Sequence, residues 1–183
     1  MIFQSQKKKY DKLMPHLVGE KVIDFLLPPV CPMTGEIVDK IGMIAPDLWG
    51  QLEFIHNPFC RQCGLPFAYD IEDALCVHCL DHPPSYRSGR SALRYNDASR
   101  DMIIRFKHGD QLHAVKTFTP WMFSAGRDLL LKADIITPVP LHPLRLIKRR
   151  YNQADVLARG LTPLVPDAHY IPCLLYTSPS PRD

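Results

Sequence analysis

Residues 60–79 read CRQCGLPFAYDIEDALCVHC, a stretch that holds four of the chain's six cysteines in the spacing C-x2-C-x12-C-x2-C. Each CxxC pair predicts a tight knuckle in which two thiolates and the turn's backbone amides face one point. Two knuckles on neighbouring hairpin arms close a tetrahedron around a zinc ion, which is borderline-soft, redox-inert and free of d-electron preferences. Gly64 and Pro66 suit a knuckle turn that runs into a hairpin arm. The ligand set is Cys60, Cys63, Cys76 and Cys79; His78, inside the second pair, is left out of it. Four buried or redox thiols, or an iron–sulfur cluster, are the other readings of the spacing. A closed four-thiolate site has no open position for substrate, so it holds a fold, and in so small a segment metal binding supplies most of the folding free energy. Cys31, with Thr34 where a CxxC partner would fall, and Cys173 stand alone; no functional claim rests on either.

Working outward, the chain has 183 residues, 46% apolar and 22% charged, the profile of a soluble globular protein of one domain with a small appendage. Its 18 prolines are about twice the ordinary ~5% share and favour short elements and many turns. A net charge of +3 is too weak to argue for nucleic acid, so the local runs matter more, Lys7 to Lys9 and the Arg145/Lys148/Arg149/Arg150 cluster. MIFQSQKKKYDKLM lacks the apolar core of a secretory signal, and no run reaches the roughly 18 apolar residues of a spanning helix. Cysteines in such a chain read as thiols or metal ligands in a reducing, cytoplasmic setting without membrane insertion.

Residues 1–20 form a basic lead, and 21–84 the ribbon region. Val22, Phe25 and Leu26 recur at helical spacing before Pro28, and Leu48, Leu52 and Ile55 share one face of a second short amphipathic turn. From Tyr86 the texture changes. YRSGRSALRY predicts a strand, and NDASRDMIIRFKHGD a helix capped by Asn96 or Asp97 and ended by Gly109. A longer helical stretch runs from about Leu112 to Lys132 with an interruption at Pro120. ADIITPVPL predicts a buried strand through Ile135, Ile136 and Val139, and NQADVLARGL a helix with Ala154, Leu157, Ala158 and Leu161 on one side. The fold class is therefore α/β, a parallel sheet with crossover helices behind an N-terminal zinc ribbon region, with the boundary near Pro83 and Pro84.

TPVPLHPLRLIKRRYNQADVLARGL, from Thr137, places a basic loop between that strand and that helix. Open α/β sheets bind ligands beyond the carboxyl ends of their strands, and a helix N-terminus offers amides and a positive dipole end to an anion. Phosphate or pyrophosphate is the ligand this arrangement favours. A solvated basic turn capped by Asn152, or a nucleic-acid contact, are the other readings.

LLPPVC, PFCRQCGLPF, CVHCLDHPPSYRSGRSALRYNDASRDMIIRFKHG and above all PVPLHPLRLIKRRYNQADVLARGL resemble the ComF/GntX group of phosphoribosyltransferase-like proteins over nearly all of residues 26–161. The resemblance implies a double zinc ribbon followed by a type I phosphoribosyltransferase fold, partial here over residues 85–173. It implies that 5-phosphoribosyl 1-pyrophosphate or a similar phosphate ligand would meet Pro138, Val139, Pro140, Leu141 and His142, with Arg149, Arg150 and Asn152 nearby and magnesium present if the intact protein is catalytic. Lys107 matches a position where the group carries a lysine; a solvated lysine near a helix end is the other reading. The group's name also implies a link to DNA uptake, so a non-catalytic module that binds single-stranded DNA or a helicase-type partner is the alternative. Phe59, Phe67 and Tyr69 would then be stacking platforms, or else packing around the knuckles.

Two departures from the group's pattern stand out. Of a first ribbon only Cys31 remains, so that ribbon is expected to be metal-free and held by apolar packing. The acidic loop of the type VLLVDDVxTTGxT, which would grip ribose and the 5-phosphate, has no counterpart. The run CLLYTSPSPRD has no periodicity, and residues 174–183 are expected to be a non-native tail on a truncated chain that turns over no substrate and is poorly soluble or partly unfolded alone.

Overall fold

The computed structural model describes residues 28–69, 71, 74–108, 112–149 and 151–172. The basic lead, the Val22–Leu26 spacing, Gly109, Arg150, Cys173 and the 174–183 tail lie outside the described residues.

The described chain begins with two small knuckled ribbons. Each ends in a one-turn helix, α1 (Pro46–Trp49) and α2 (Val77–Asp81). Residues 86–95, expected as a strand, form no strand and pair at one isolated bridge: Leu93 bridges Phe54, and Ile55 N–H donates to the Ala92 carbonyl at 3.0 Å. Helix α3 (Asp97–His108) follows. Asn96 caps it reciprocally: Ser99 N–H donates to Asn96 Oδ1 and Asn96 N–H donates to Ser99 Oγ, both at 2.9 Å, which satisfies two amides at the helix start.

A 3-10 turn (Leu112–Ala114) leads into α4 (Val115–Ala125) and α5 (Arg127–Leu130). The expected interruption at Pro120 falls elsewhere. Pro120 lies within α4, and the break comes at Gly126. Proline removes one amide bond, to the Lys116 carbonyl, and both residues lie on the exposed face of the helix.

Strand β1 (Ile135–Ile136) pairs in parallel with β2 (His169–Tyr170), Ile135 against His169 and Ile136 against Tyr170. Between them run α6 (Pro143–Arg149), α7 (Gln153–Leu161) and a 3-10 turn (Thr162–Leu164). The parallel pair with crossover helices matches the expected class. The strand is shorter and less buried than its β-branched run suggests, because Ile136 is buried while Ile135 and Val139 are exposed. A two-stranded sheet covers one row of side chains, not two.

Ile136 packs with Ala158, Leu161, Val165 and Ala168 in the smaller apolar cluster. The larger cluster joins the first ribbon to the helices through Cys31, Met33, Ile44, Leu52, Met102, Phe106 and Phe118. Phe106 meets Phe118 edge to face at 5.1 Å, and Trp121 meets Phe54 likewise at 5.2 Å, the arrangement the ring quadrupoles prefer. Helices α4 and α7 come together at Gly160, where a Cβ would lie 2.7 Å from Thr119 Oγ1 and 2.9 Å from Val115 Cγ1.

Phe106 sits where α3, α4 and the Tyr151 ring converge. Phe106→Ala is expected to cost about 3–5 kcal/mol, the range for emptying a buried aromatic site, read as a lower midpoint in chemical denaturation. A loss below about 1 kcal/mol would mean that this cluster does not hold the first ribbon to the helices.

Candidate metal centre and basic segment

In the first knuckle, Phe59 bridges Pro66, Cys60 N–H donates to the Leu65 carbonyl, and Gly64 N–H donates to the Cys60 carbonyl, both at 2.8 Å. Gly64 turns the chain at φ +76°, a left-handed backbone that glycine adopts without penalty. The second knuckle is the start of α2, with Cys76 as N-cap and Cys79 one turn on. Arg61 N–H donates to the Ala74 carbonyl at 3.1 Å, and Cys76 N–H to Cys60 Sγ at 3.3 Å, which ties the knuckles together.

The four sulfurs of Cys60, Cys63, Cys76 and Cys79 lie within 4.8 Å of one another, and Cys63 Sγ is 3.7 Å from Cys76 Sγ. A tetrahedron with Zn–S bonds of ~2.3 Å has edges of about 3.8 Å, so the donor set fits zinc in both chemistry and size. Cys60, Cys76 and Cys79 are buried and Cys63 is half-buried. Burial pushes the Cys60 thiol up, but hydrogen bonds around Cys63, Cys76 and Gln62 outweigh it and bring the thiol down to about 6. Burial, reinforced by the neighbouring Cys63, Cys76 and Cys60, pushes Cys79 up to about 12, and burial also raises Cys63. One thiolate is welcome in the cage; four need a cation. This is a structural zinc centre. His78 is exposed and stacks on His82 at 5.7 Å, outside the cage.

The first ribbon repeats this hydrogen-bond pattern around Cys31. Val30 bridges Ile37, Cys31 N–H donates to the Glu36 carbonyl at 2.7 Å, and Gly35, also at φ +76°, donates to the Cys31 carbonyl at 2.9 Å. Ala45, the N-cap of α1, donates to Cys31 Sγ at 3.3 Å, as Cys76 does to Cys60. Cys31, Thr34, Ala45 and Leu48 therefore stand where Cys60, Cys63, Cys76 and Cys79 stand. Such a set does not fit zinc. Cys31 instead packs among Met33, Ile44, Met102 and Phe106, the apolar packing expected from the sequence. The pattern was partly readable in the sequence: Pro-x-Cys-x-x-Thr-Gly at 29–35 parallels Pro-x-Cys-x-x-Cys-Gly at 58–64.

The basic segment departs from expectation in form. It is not a loop throughout, because residues 143–149 form α6. Pro138 is buried, Val139, Pro140 and His142 are exposed, and Leu141 is half-buried. His142 Nδ1 accepts from Leu144 N–H at 3.3 Å. Asn152 caps α7 by accepting from Ala154 N–H at 3.0 Å, and its Nδ2 donates to the Val139 carbonyl at 3.0 Å. Tyr151 Oη donates to the Phe106 carbonyl at 2.7 Å, and Gln153 Nε2 to the Lys107 carbonyl at 3.2 Å. Arg149 Nη1 reaches Gln153 Oε1 at 3.4 Å. Tyr151 and Gln153 thus pin this segment to the C-terminal end of α3, with Arg149 beside the Lys107 carbonyl through Gln153, while Asn152 holds Val139. Asp155 already occupies the first turn of α7, so its carboxylate answers part of the dipole.

The sequence model of the double zinc ribbon domain matches residues 22–80. Competence protein F of Haemophilus influenzae is 32% identical over 110 residues, 57% of this chain and 47% of that protein. Competence protein ComFC of Bacillus subtilis is 30% identical over 142 residues, 75% of this chain and 54% of that protein. These matches support membership of the ComF family. The chain spans about half the length of these curated relatives, and no solved structure matches it. No helix among the described residues is long and apolar enough to cross a membrane.

Sequence reasoning missed Arg90. Its guanidinium donates to the Arg61 carbonyl at 3.0 Å, the Gly89 carbonyl at 2.8 Å and Asp128 Oδ2 at 2.8 Å, and lies 4.6 Å over the Phe59 ring. It ties the second ribbon to α5, and nothing in the surrounding SGRSA marks it. Phe67 packs on the cysteine cage, whereas Tyr69 is exposed.

The protein is expected to hold one zinc per chain by metal analysis, and Thr34→Cys/Ala45→Cys/Leu48→Cys to hold two; a triple variant that stays at one would refute the equivalence of the ribbons. Gly35 and Gly64 share φ +76°, but a Cβ on Gly64 would lie 2.8 Å from the Gly89 carbonyl oxygen, while one on Gly35 meets nothing within 4 Å. Gly35→Ala is expected to cost the backbone term alone, about 1–2 kcal/mol, and Gly64→Ala clearly more in thermal unfolding of the zinc-loaded protein. Equal losses would contradict the close approach of the strap at Gly89.

Proposed function

We propose that this ComF-type chain contributes the pyrophosphate-facing part of a phosphoribosyltransferase-like protein linked to DNA uptake, with the zinc ribbon as its structural anchor. The observation that carries the reading is that Tyr151 and Gln153 bond the Phe106 and Lys107 carbonyls at the end of α3, Gln153 also meets the Arg149 guanidinium, and Asn152 holds the Val139 carbonyl. Lys107 is exposed, so its ammonium is available to an anion, and Arg149 offers a fork suited to phosphate oxygens.

In such a role the chain's own residues bind and orient. Arg149 and Lys107 would hold the pyrophosphate of an activated ribose, and the rigid Asn152 tether to Val139 would keep the Pro138–His142 stretch in place against it. Magnesium, when bound, would screen the charge of the leaving pyrophosphate; residues 138–152 contain no acid, so the ligand's phosphates would carry it there.

Titration calorimetry of the full chain with inorganic pyrophosphate and magnesium tests this. Saturable binding is expected, weakened at least about tenfold, or ~1.4 kcal/mol, in Lys107→Ala and Arg149→Ala. Identical affinities in wild type and both variants would remove the reading. The alternative, a non-catalytic module for single-stranded DNA or a helicase-type partner, draws on the relatives named competence proteins and on Tyr69 and Arg61, both exposed on the second ribbon. Fluorescence anisotropy with a labelled oligonucleotide would favour it if binding depends steeply on salt and pyrophosphate gives no signal.

A further inference from the structure

We propose that the trough between the second ribbon and helices α4 and α5 is a binding site for a free nucleoside polyphosphate, separate from the 138–152 segment. The trough has two adjoining lobes of about 1010 and 820 Å³, which share Arg61, Arg90, Asp128 and Lys132 along their boundary. Ligand pockets commonly run ~300–1,000 Å³, so either lobe is roomy enough for half of such a molecule.

The lobes differ in chemistry. The rings of Phe54, Phe59 and Trp121 all line the first. Among the described residues the second is lined by no aromatic side chain and adds Gln62, Arg87 and Ser88. A ligand that is flat and aromatic at one end and polyanionic at the other matches this division. Arg90 already covers one face of Phe59 at 4.6 Å, and Trp49 and His56 stack on Phe54 at 5.8 and 6.5 Å, which leaves Trp121, in edge contact with Phe54 at 5.2 Å, as the surface for a base.

Charge points the same way. Asp128 is the one carboxylate among the described lining residues, and Arg90 neutralises it at 2.8 Å. Arg61, Arg87, Arg127 and Lys132 are exposed and make no side-chain hydrogen bond or ion pair among the described residues. Four cations without a partner among the described residues repel one another around one trough, and a polyphosphate relieves that repulsion. A nucleic-acid strand would call for aromatic platforms repeated along a groove; here they gather at one end.

The site also depends on the metal. Phe59 and Arg61 belong to the first knuckle, and Arg90 is held by the Arg61 carbonyl. Stripping zinc therefore removes one wall.

The test uses the full chain carrying Trp49→Phe, so that Trp121 alone reports by fluorescence. Its titrants are ATP, adenosine, inorganic triphosphate and a thymidine oligonucleotide. ATP is expected to give a saturable change, with adenosine and triphosphate each at least about tenfold weaker. Arg127→Ala/Lys132→Ala is expected to weaken ATP at least about tenfold with zinc content and circular dichroism unchanged, Arg149→Ala to leave it unchanged, and chelator treatment to abolish it. No response to ATP in zinc-loaded protein would overturn the proposal. So would triphosphate binding as tightly as ATP, an oligonucleotide that binds where ATP does not, or an unaltered affinity in the double variant. Loss of the ATP response in Arg149→Ala alone would place the ligand at the 138–152 segment and overturn it too.

Discussion

Four sulfur atoms held within 4.8 Å of one another are an arrangement that a protein does not keep without a reason. The backbone amides that surround Cys60 favour a thiolate there, and burial, reinforced by the neighbouring cysteines, makes ionisation of Cys79 harder. Four thiolates in one buried cage repel one another, and a zinc ion satisfies all four sulfurs at once. Much of the surrounding structure leans on this cage. The strap at residues 84–90 docks on the first knuckle, where Gly89 N–H donates to the Gln62 carbonyl at 2.6 Å and Gln62 Nε2 donates to the Pro84 carbonyl at 3.3 Å. Arg90, at the end of the strap, passes that position on to α5 through Asp128.

The two ribbons are the same backbone solution stabilised in two ways. In the second, side chains that could not form a core are held by a metal. In the first, Thr34, Ala45 and Leu48 give up the metal, and the knuckle is pressed instead against Met102, Phe106 and Phe118 from the helices. Cys31 keeps its amide contacts from Met33 and Ala45, so the turn geometry outlives the ion. Apolar docking is non-directional and suffices here because α3 and α4 supply a neighbouring apolar face. Among the described residues the second ribbon shows no comparable contact; its own cluster holds little beyond the cysteines, Phe67 and Leu75.

What the sequence determined by itself was local. The CxxC spacing named the zinc ligands, because a tight knuckle turn brings together thiolates only three residues apart. Asn96 and Asn152 were legible as caps because a cap is formed by neighbours in sequence. The parallel pair with crossover helices was legible from alternating patterns. What only the tertiary structure decided was long-range. Arg90 meets Asp128 across 38 residues, Gln153 meets the Lys107 carbonyl across 46, and Thr117 meets the Gly42 carbonyl across 75. No period or spacing encodes such contacts. Likewise the burial of Ile136 beside an exposed Ile135 and Val139 depends on how many strands flank β1, which the side chains of one strand do not specify.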